Sequence, residues 1–357
     1  MLPTTEPKGK FLALKKIVLI GGGDLMAASA KIFNKLNFDI IVIAAPRHIN
    51  EQLILTDESL MQVCQQLSIT PHIFNDINKL SEPELSVIIP DTAIAICFGP
   101  AWIFSEQIIH KFHHGMFNIN AIPVPHYLGG AHYTWQLLNN NRDGGCFFQQ
   151  ITNKIDQGSI FAKHHFSISN QANTPHDYFV ENVQQGEVFI QKLSKMFINE
   201  VPFSPIPYET FNENRIYLPR LRTDKQAYIN WQWQAKDIVS FCQGFADPYI
   251  GAATLINGQV IRLNKLKLIK LYHENANNDE EIPTMHPFCH GIIIKKTTNS
   301  IIVAANNGFI ELIEVLDAQE LCMKTRLKEG MRLYTPSAIL DEAMTYQVKI
   351  DGQGFKG

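Results

Sequence analysis

FNINAIPVPHYLGGAHYTWQLLNNNRDGGCFFQQITNKIDQGSI, residues 117–160, decides the reading of the chain. Asn118 follows a short apolar strand, Met116–Ile119. A proline-rich turn through Pro123 and Pro125 leads to Gly129-Gly130, and Trp135 then sits on a helix. A Gly-started strand comes next, and Asp156-Gln157-Gly158 closes the stretch. Outward toward the N-terminus, Lys16–Ile20, Asp39–Ala44 and Ala93–Phe98 are further apolar strands. Between the first two, Leu25, Ala28, Ile32, Phe33 and Leu36 recur at helical spacing. Strands alternating with helices predict an α/β fold with a mainly parallel sheet, covered on both faces. Ligands of such sheets sit beyond the carboxyl ends of the strands. Asn118 and Phe98-Gly99-Pro100 lie at such ends.

Outward toward the C-terminus, Thr174-Pro175 reads as a helix start, an N-cap followed by proline. The helix is expected to run to about Asn199. Val201–Pro207, with three prolines in seven residues, reads as a linker. Beyond it Gly291–Lys296, Ser300–Ala305 and Phe309–Val315 read as strands, with Asn306-Asn307-Gly308 as a hairpin turn. This is a small β-rich second domain, and His273–Glu281 is expected to be a mobile polar loop.

The bulk numbers narrow the classes. At 357 residues the chain can hold two domains with real cores. A net charge of -3 gives no basic field to advertise nucleic acid. Six scattered cysteines without a C-x-x-C pair suit a reduced, cytoplasmic chain. No apolar run approaches the ~20 residues of a membrane helix, so no membrane partner is expected.

The central stretch resembles the core of the formyltransferase family, which moves a formyl group from 10-formyltetrahydrofolate to an amine. The family pattern runs Asn-x-His, a Leu-Pro turn with Arg-Gly, a Trp-bearing helix, then Leu-Asp-x-Gly. Asn118, Pro125, Gly129, Trp135, Asp156 and Gly158 fit it. The family's catalytic His is Asn120 here, and its Arg is Leu128. The C-terminal half is also similar, through Leu218-Pro219-Arg220-Leu221, Ile229-Asn230-Trp231, Pro248-Tyr249-Ile250-Gly251-Ala252 and Gly330–Pro336. The resemblance implies a Rossmann-like formyltransferase domain over 15–203 and an OB-like β-rich domain over 208–345.

The chemistry asks for donors aimed at a developing oxyanion and for a base that takes the amine's proton. The resemblance gives Asn118 the first task, and Asp156 the orienting one beside it. Asn120 can donate to an oxyanion, but an amide cannot accept a proton at neutral pH. Substitute bases are Asp156, His126 and His132, the two histidines flanking Gly129-Gly130. Phe98, Gly99, Pro100, Ala101, Trp102 and Ile103 match the segment that walls the pterin of the folate donor. The acceptor expected from the wording around Gly129-Gly130 is a nucleotide-linked amino sugar. The runner-up is methionyl-tRNA formyltransferase, the one reading that brings in a nucleic acid. A third is a catalytically silent binding protein that kept the fold after losing the His; position 120 discriminates.

Three other features carry weaker expectations. Gly21-Gly22-Gly23 follows a strand and opens a helix, and its backbone N–H groups are candidates for a phosphate contact. As a dinucleotide fingerprint it lacks the third glycine. His286, Cys289 and His290 have ligand-like chemistry without a fourth partner, and no metal is expected. Trp231 and Trp233 read as packing residues rather than a stacking platform.

Overall fold

The computed structural model describes residues 11–122, 127–273, 280–281, 285–298, 300–351 and 354–356. The chain divides into two compact units. One takes the chain up to Leu128, with Asp143–Ile168 and Val180–Tyr217; the other takes Gly129–Arg142, Ser169–Phe179 and everything from Leu218.

The first unit is built on a seven-stranded sheet. Its strands are β1 (Lys16–Gly21), β2 (Asp39–Ala44), β3 (His72–Ile73), β4 (Ala93–Phe98), β5 (Met116–Asn120), β6 (Asp143–Gln150) and β7 (Ile160–Ser167), ordered β3-β2-β1-β4-β5-β6-β7. The pairings from β3 to β5 are parallel, and β5–β6 and β6–β7 are antiparallel. Every residue of β4 is buried, which is why it reads as an unbroken apolar run rather than an alternation. The two faces of β1 serve separate cores. Ile17 and Leu19 join Phe33, Phe117, Phe189 and Phe197 on one face, while Val18 and Ile20 join Leu85, Ala95 and Ile108 on the other. Each such side chain stabilises the fold by about 1.5–3 kcal/mol. Phe117 and Phe148 stack with centroids 4.2 Å apart, fixing β5 against β6 at the base of the site.

Val201–Pro207 is not a free tether. Phe203 is buried in the first core, and Ile206 exchanges backbone hydrogen bonds with Ile160, each 2.9 Å. The helix expected after Thr174 is Pro175–Ile198. Thr174 Oγ1 accepts from Asp177 N, and Asp177 Oδ2 accepts from Thr174 N, a reciprocal cap.

The second unit is the β-rich one. Six strands pair antiparallel in the order Ile293–Lys296, Ile301–Ala305, Gly308–Leu316, Gln259–Ile269, Ala252–Ile256, Leu333–Tyr334. The ends then meet: Ile293 N donates to Met331 O and Leu333 N to Gly291 O, each 2.8 Å. Closure of this kind removes the exposed edges. The hairpin at Asn306-Asn307 has Asn307 at φ 57°, a left-handed position that asparagine tolerates. Ile229, Trp231, Ile261, Leu263, Ile310 and Leu312 fill the interior. Helix Ala235–Gly244 packs beside it, and helix His132–Leu138 packs on that helix so closely that a Cβ on Gly244 would fall 2.3 Å from Leu138 Cδ1. Of the expected loop His273–Glu281, His273 pairs with Glu280 in a short antiparallel ladder, and 274–279 lie outside the described residues.

Candidate active site

The end of β5 carries Asn118 and Asn120, whose side chains emerge on the same side of the strand. β6 runs antiparallel beside them, with Asn118 opposite Gln149 and Asn120 opposite Phe147. A register shift between Phe148 and Gln149 breaks the ladder to β7 at this point. The amide of Gln149, 1% exposed, donates to Asp156 O at 2.9 Å and Gly158 O at 3.0 Å. Its Oε1 accepts from Asn120 Nδ2 at 3.2 Å, and Asn120 Oδ1 accepts from Asn118 Nδ2 at 2.7 Å. Asn118 Oδ1 ends this line, buried and without a partner among the described residues.

The loop from β6 to β7 then turns back over the strand end. Asp156 sits at φ 54°. Gly158 passes so close to β6 that a Cβ there would lie 1.9 Å from Gln150 O. Asp156 is exposed as a residue, yet partial burial of its carboxyl pushes its pKa above the ordinary aspartate value.

Asn118, Gln149 and Asp156 line a cavity of about 180 Å³ with Pro100, Trp102, Ile103 and Phe104. Its wall is braced from the loop after β3. Trp102 Nε1 donates to Asn75 O at 2.8 Å, and Asn78 Nδ2 donates to Ile103 O at 3.0 Å. Of the six residues expected to wall this slot, Pro100, Trp102 and Ile103 line it. Phe98 is buried beneath, Gly99 makes the turn at φ 51°, and Ala101 is half-buried. Farther along β6 a cavity of about 660 Å³ is lined by Tyr127, Asp143, Gly144, His165, Phe166, Ser167, Asn214 and Ile216.

Comparison with known proteins places this geometry. Residues 222–327 match the family model "Formyl transferase, C-terminal domain". A methionyl-tRNA formyltransferase from Geobacter metallireducens is 25% identical over 268 residues, 71% of this chain and 78% of its own length. In sequence the chain is thus similar to formyltransferases, through its residues 222–327 and through relatives that it matches over most of its length. The fold agrees. WlaRD, a sugar 3N-formyltransferase solved in the presence of dTDP and 5-N-formyl-THF, superposes with TM-score 0.60 at 21% identity, covering 86% of this chain and 99% of that one. An N-formyltransferase from Helicobacter canadensis, in complex with folinic acid and dTDP-3-aminofucose, gives TM-score 0.60 at 18% identity over 84% and 99%.

The other expected residues fall as follows. His132 opens helix His132–Leu138 in the second unit. One ring nitrogen bonds the Gly129 backbone, Nδ1 is buried without a partner among the described residues, and burial lowers the pKa. His126 and Pro125 lie outside the described residues. Gly21 and Gly22 are closed in, while a Cβ on Gly23 would meet nothing within 4 Å: Gly22 N donates to Phe98 O at 3.1 Å. His48 covers Gly22, and a Cβ there would lie 2.7 Å from His48 Cβ. Asp24, where a phosphate would sit, turns its carboxylate to Ile54 N and Leu55 N. Trp231 Nε1 donates to Thr254 Oγ1 inside the barrel, and Trp233 packs edge-on against Phe241, 4.9 Å between centroids. His286 caps its own turn by accepting from Phe288 N, while His290 is buried.

Sequence reasoning missed Gln149, Asn75 and Asn78. For Gln149 a signal existed: Gln149-Gln150 place two amides at the end of the apolar run Cys146–Phe148. A buried amide in such a place needs partners.

Proposed function

We propose that this chain transfers the formyl group of 10-formyltetrahydrofolate to the amine of a nucleotide-linked amino sugar. The observation that carries the reading is the cavity in which Asn118 and Asp156 meet the apolar wall of Trp102, Ile103 and Phe104. A flat heteroaromatic donor needs a slot of this kind, apolar on its faces and polar at its edge. Asn118 and Asp156 set the polar edge of that lining. When bound, 10-formyltetrahydrofolate supplies the activated formyl carbon.

The chain's own residues do the rest. Asn118 and Asn120 carry amide hydrogens that can stabilise negative charge on the formyl oxygen. Asp156 is the base. Its carboxyl, with a pKa above the ordinary aspartate value, takes the proton the attacking amine must lose. Trp102 and Phe104 keep water from the formyl carbon.

Two observations support the sugar acceptor. Gly144, on the rim of the larger cavity, lies three residues along β6 from Phe147, the partner of Asn120. That is about 10 Å at the rise of a strand. An elongated acceptor could thus place its amine by Asn118 and its body against Tyr127, His165 and Phe166. The second unit, in turn, carries nearly balanced charge, where tRNA binding would favour a basic stripe. Residues 218–357 hold 16 Lys and Arg against 15 Asp and Glu. Lys265 and Lys267 stand opposite Glu314 and Glu311 in the sheet.

The test has two stages. Calorimetric titration with 5-formyltetrahydrofolate should show saturable binding. Formyl transfer from 10-formyltetrahydrofolate is then followed to a panel of nucleotide-linked amino sugars and to charged initiator tRNA. Transfer to tRNA alone would replace the sugar by the tRNA reading. Binding without transfer to any acceptor would leave a silent folate-binding protein, and no binding at millimolar folate would end all folate readings.

A further inference from the structure

Gln149 decides how the whole site is oriented. Asp156 O and Gly158 O are backbone carbonyls and can only accept. The side chain of Gln149 must therefore turn its NH2 toward them and its Oε1 away. That oxygen requires a donor, so Asn120 must turn Nδ2 toward Gln149 and Oδ1 toward Asn118. Asn118 must then present Nδ2 to Asn120. Each amide has two faces, and the two loop carbonyls select one arrangement of all three. What remains is Asn118 Oδ1, an acceptor, buried and without a partner among the described residues, at the wall of the cavity. An acceptor left in this state carries its desolvation cost until a donor arrives.

We propose that Gln149 is the positioning residue of this site: through Asn120 it locks Asn118 with its carbonyl oxygen free, set to accept a hydrogen bond from the N–H of the incoming amine. The last clause rests on the transfer reading above; the lock itself does not. An N–H held by Asn118 Oδ1 turns the nitrogen lone pair away from that bond, and so toward the formyl carbon. One of the two Nδ2 hydrogens of Asn118 is spent on Asn120, which makes the acceptor face of this side chain its distinctive offering. The loop that carries Asp156 is fixed by the same Gln149 amide, so base and orienting group share one anchor.

The experiment reads the lock in the free protein and its use in turnover. With Asn and Gln labelled by ¹⁵N, the side-chain NH2 resonances of Asn118, Asn120 and Gln149 are assigned by substitution. Gln149→Leu should move the Asn120 and Asn118 signals while other side-chain amides stay. Asn120→Ala should move Asn118 and leave Gln149 in place, because Gln149 keeps its loop carbonyls. Adding Gln149→Leu to Asn120→Ala should cause no further change at Asn118, as a relay requires and two independent roles do not. Should Gln149→Leu fail to fold, Gln149→Met is nearer in shape and carries the same test. In turnover, Asn120→Ala should lower kcat by about 10²-fold, the usual effect of a misplaced reacting group, with little change in folate affinity. An Asn118 signal that ignores Gln149→Leu or Gln149→Met overturns the lock whatever the turnover. A wild type that shows the coupled signals yet transfers to no acceptor keeps the lock and ends the transfer reading.

Discussion

Two strand ends of one sheet, those of β1 and β5, look alike as ligand sites and behave oppositely. The end of β1 carries three glycines and opens a helix, at the point where the strand order reverses. Open α/β sheets usually bind at such a point. Here it is sealed. A Cβ on Gly21 would lie 2.1 Å from Phe98 O, Gly22 N is spent on that same oxygen, and His48 fills the space above. Two strands farther along, the end of β5 holds no glycine. Its side-chain amides stop one bond short of satisfaction, and a cavity opens beside them. What separates the two ends is unsatisfied hydrogen-bonding capacity next to open space, not the glycine pattern.

The largest expected effect tests the open end. Asp156→Asn should cut transfer by about 10²–10⁴-fold, the range for a lost general base. Wild-type turnover should rise with pH through a pKa above the ordinary aspartate value, and the variant should lose that limb. Stability runs the other way. A folded pKa raised above the unfolded one stabilises below the unfolded pKa, and this is lost as pH rises through the folded value. Asp156→Asn should therefore melt no lower than wild type at pH 7. Unchanged turnover would remove Asp156 from the chemistry.

Asn120→His comes next. Gln149 Oε1 would accept from the ring N–H, leaving the other ring nitrogen as a proton acceptor. Because Asp156 is the base, the imidazole should add nothing and should displace Asn118, so turnover should fall, by about 10²-fold as for a misplaced reacting group. A rise would mean that Asp156 does not do the work of the base. Trp102→Ala should weaken 5-formyltetrahydrofolate binding by about tenfold, equivalent to ~1.4 kcal/mol, read by calorimetry. Gly22→Ala, at the sealed end, should have the smallest effect on the site. Overpacking against His48 should cost about 1–3 kcal/mol and lower Tm by ~2–4 °C per kcal/mol, with turnover per folded molecule unchanged. A turnover loss there would make the glycine turn part of the site.

The framework of this comparison was legible in the sequence. Ala93–Phe98 is apolar throughout because both faces of β4 are covered, and such runs announce themselves. That Asn118 and Asp156 would line one cavity was legible from their flanking pattern. The lock was not, because Gln149 acts on backbone carbonyls seven and nine residues away. A backbone carbonyl has no letter in the sequence. The sealing of β1 was hidden for a similar reason, since His48 reaches Gly22 from after β2. The proline-rich stretch 201–207 misled for want of context: prolines mark an irregular backbone, but Phe203 and Ile206 still have a core and a partner to reach.

The packing of helix His132–Leu138 on helix Ala235–Gly244 bears on how such chains can be recombined. The barrel unit draws residues 129–142 and 169–179 from inside the sequence of the first unit, while the family model spans only 222–327. A cut at the prolines thus falls within neither natural seam. A fragment beginning at residue 208 would leave Leu138 behind and bare the surface around Gly244, inviting aggregation. Grafting a foreign barrel onto this chain would need the short helix exchanged with it, so the two segments should be inherited as a pair.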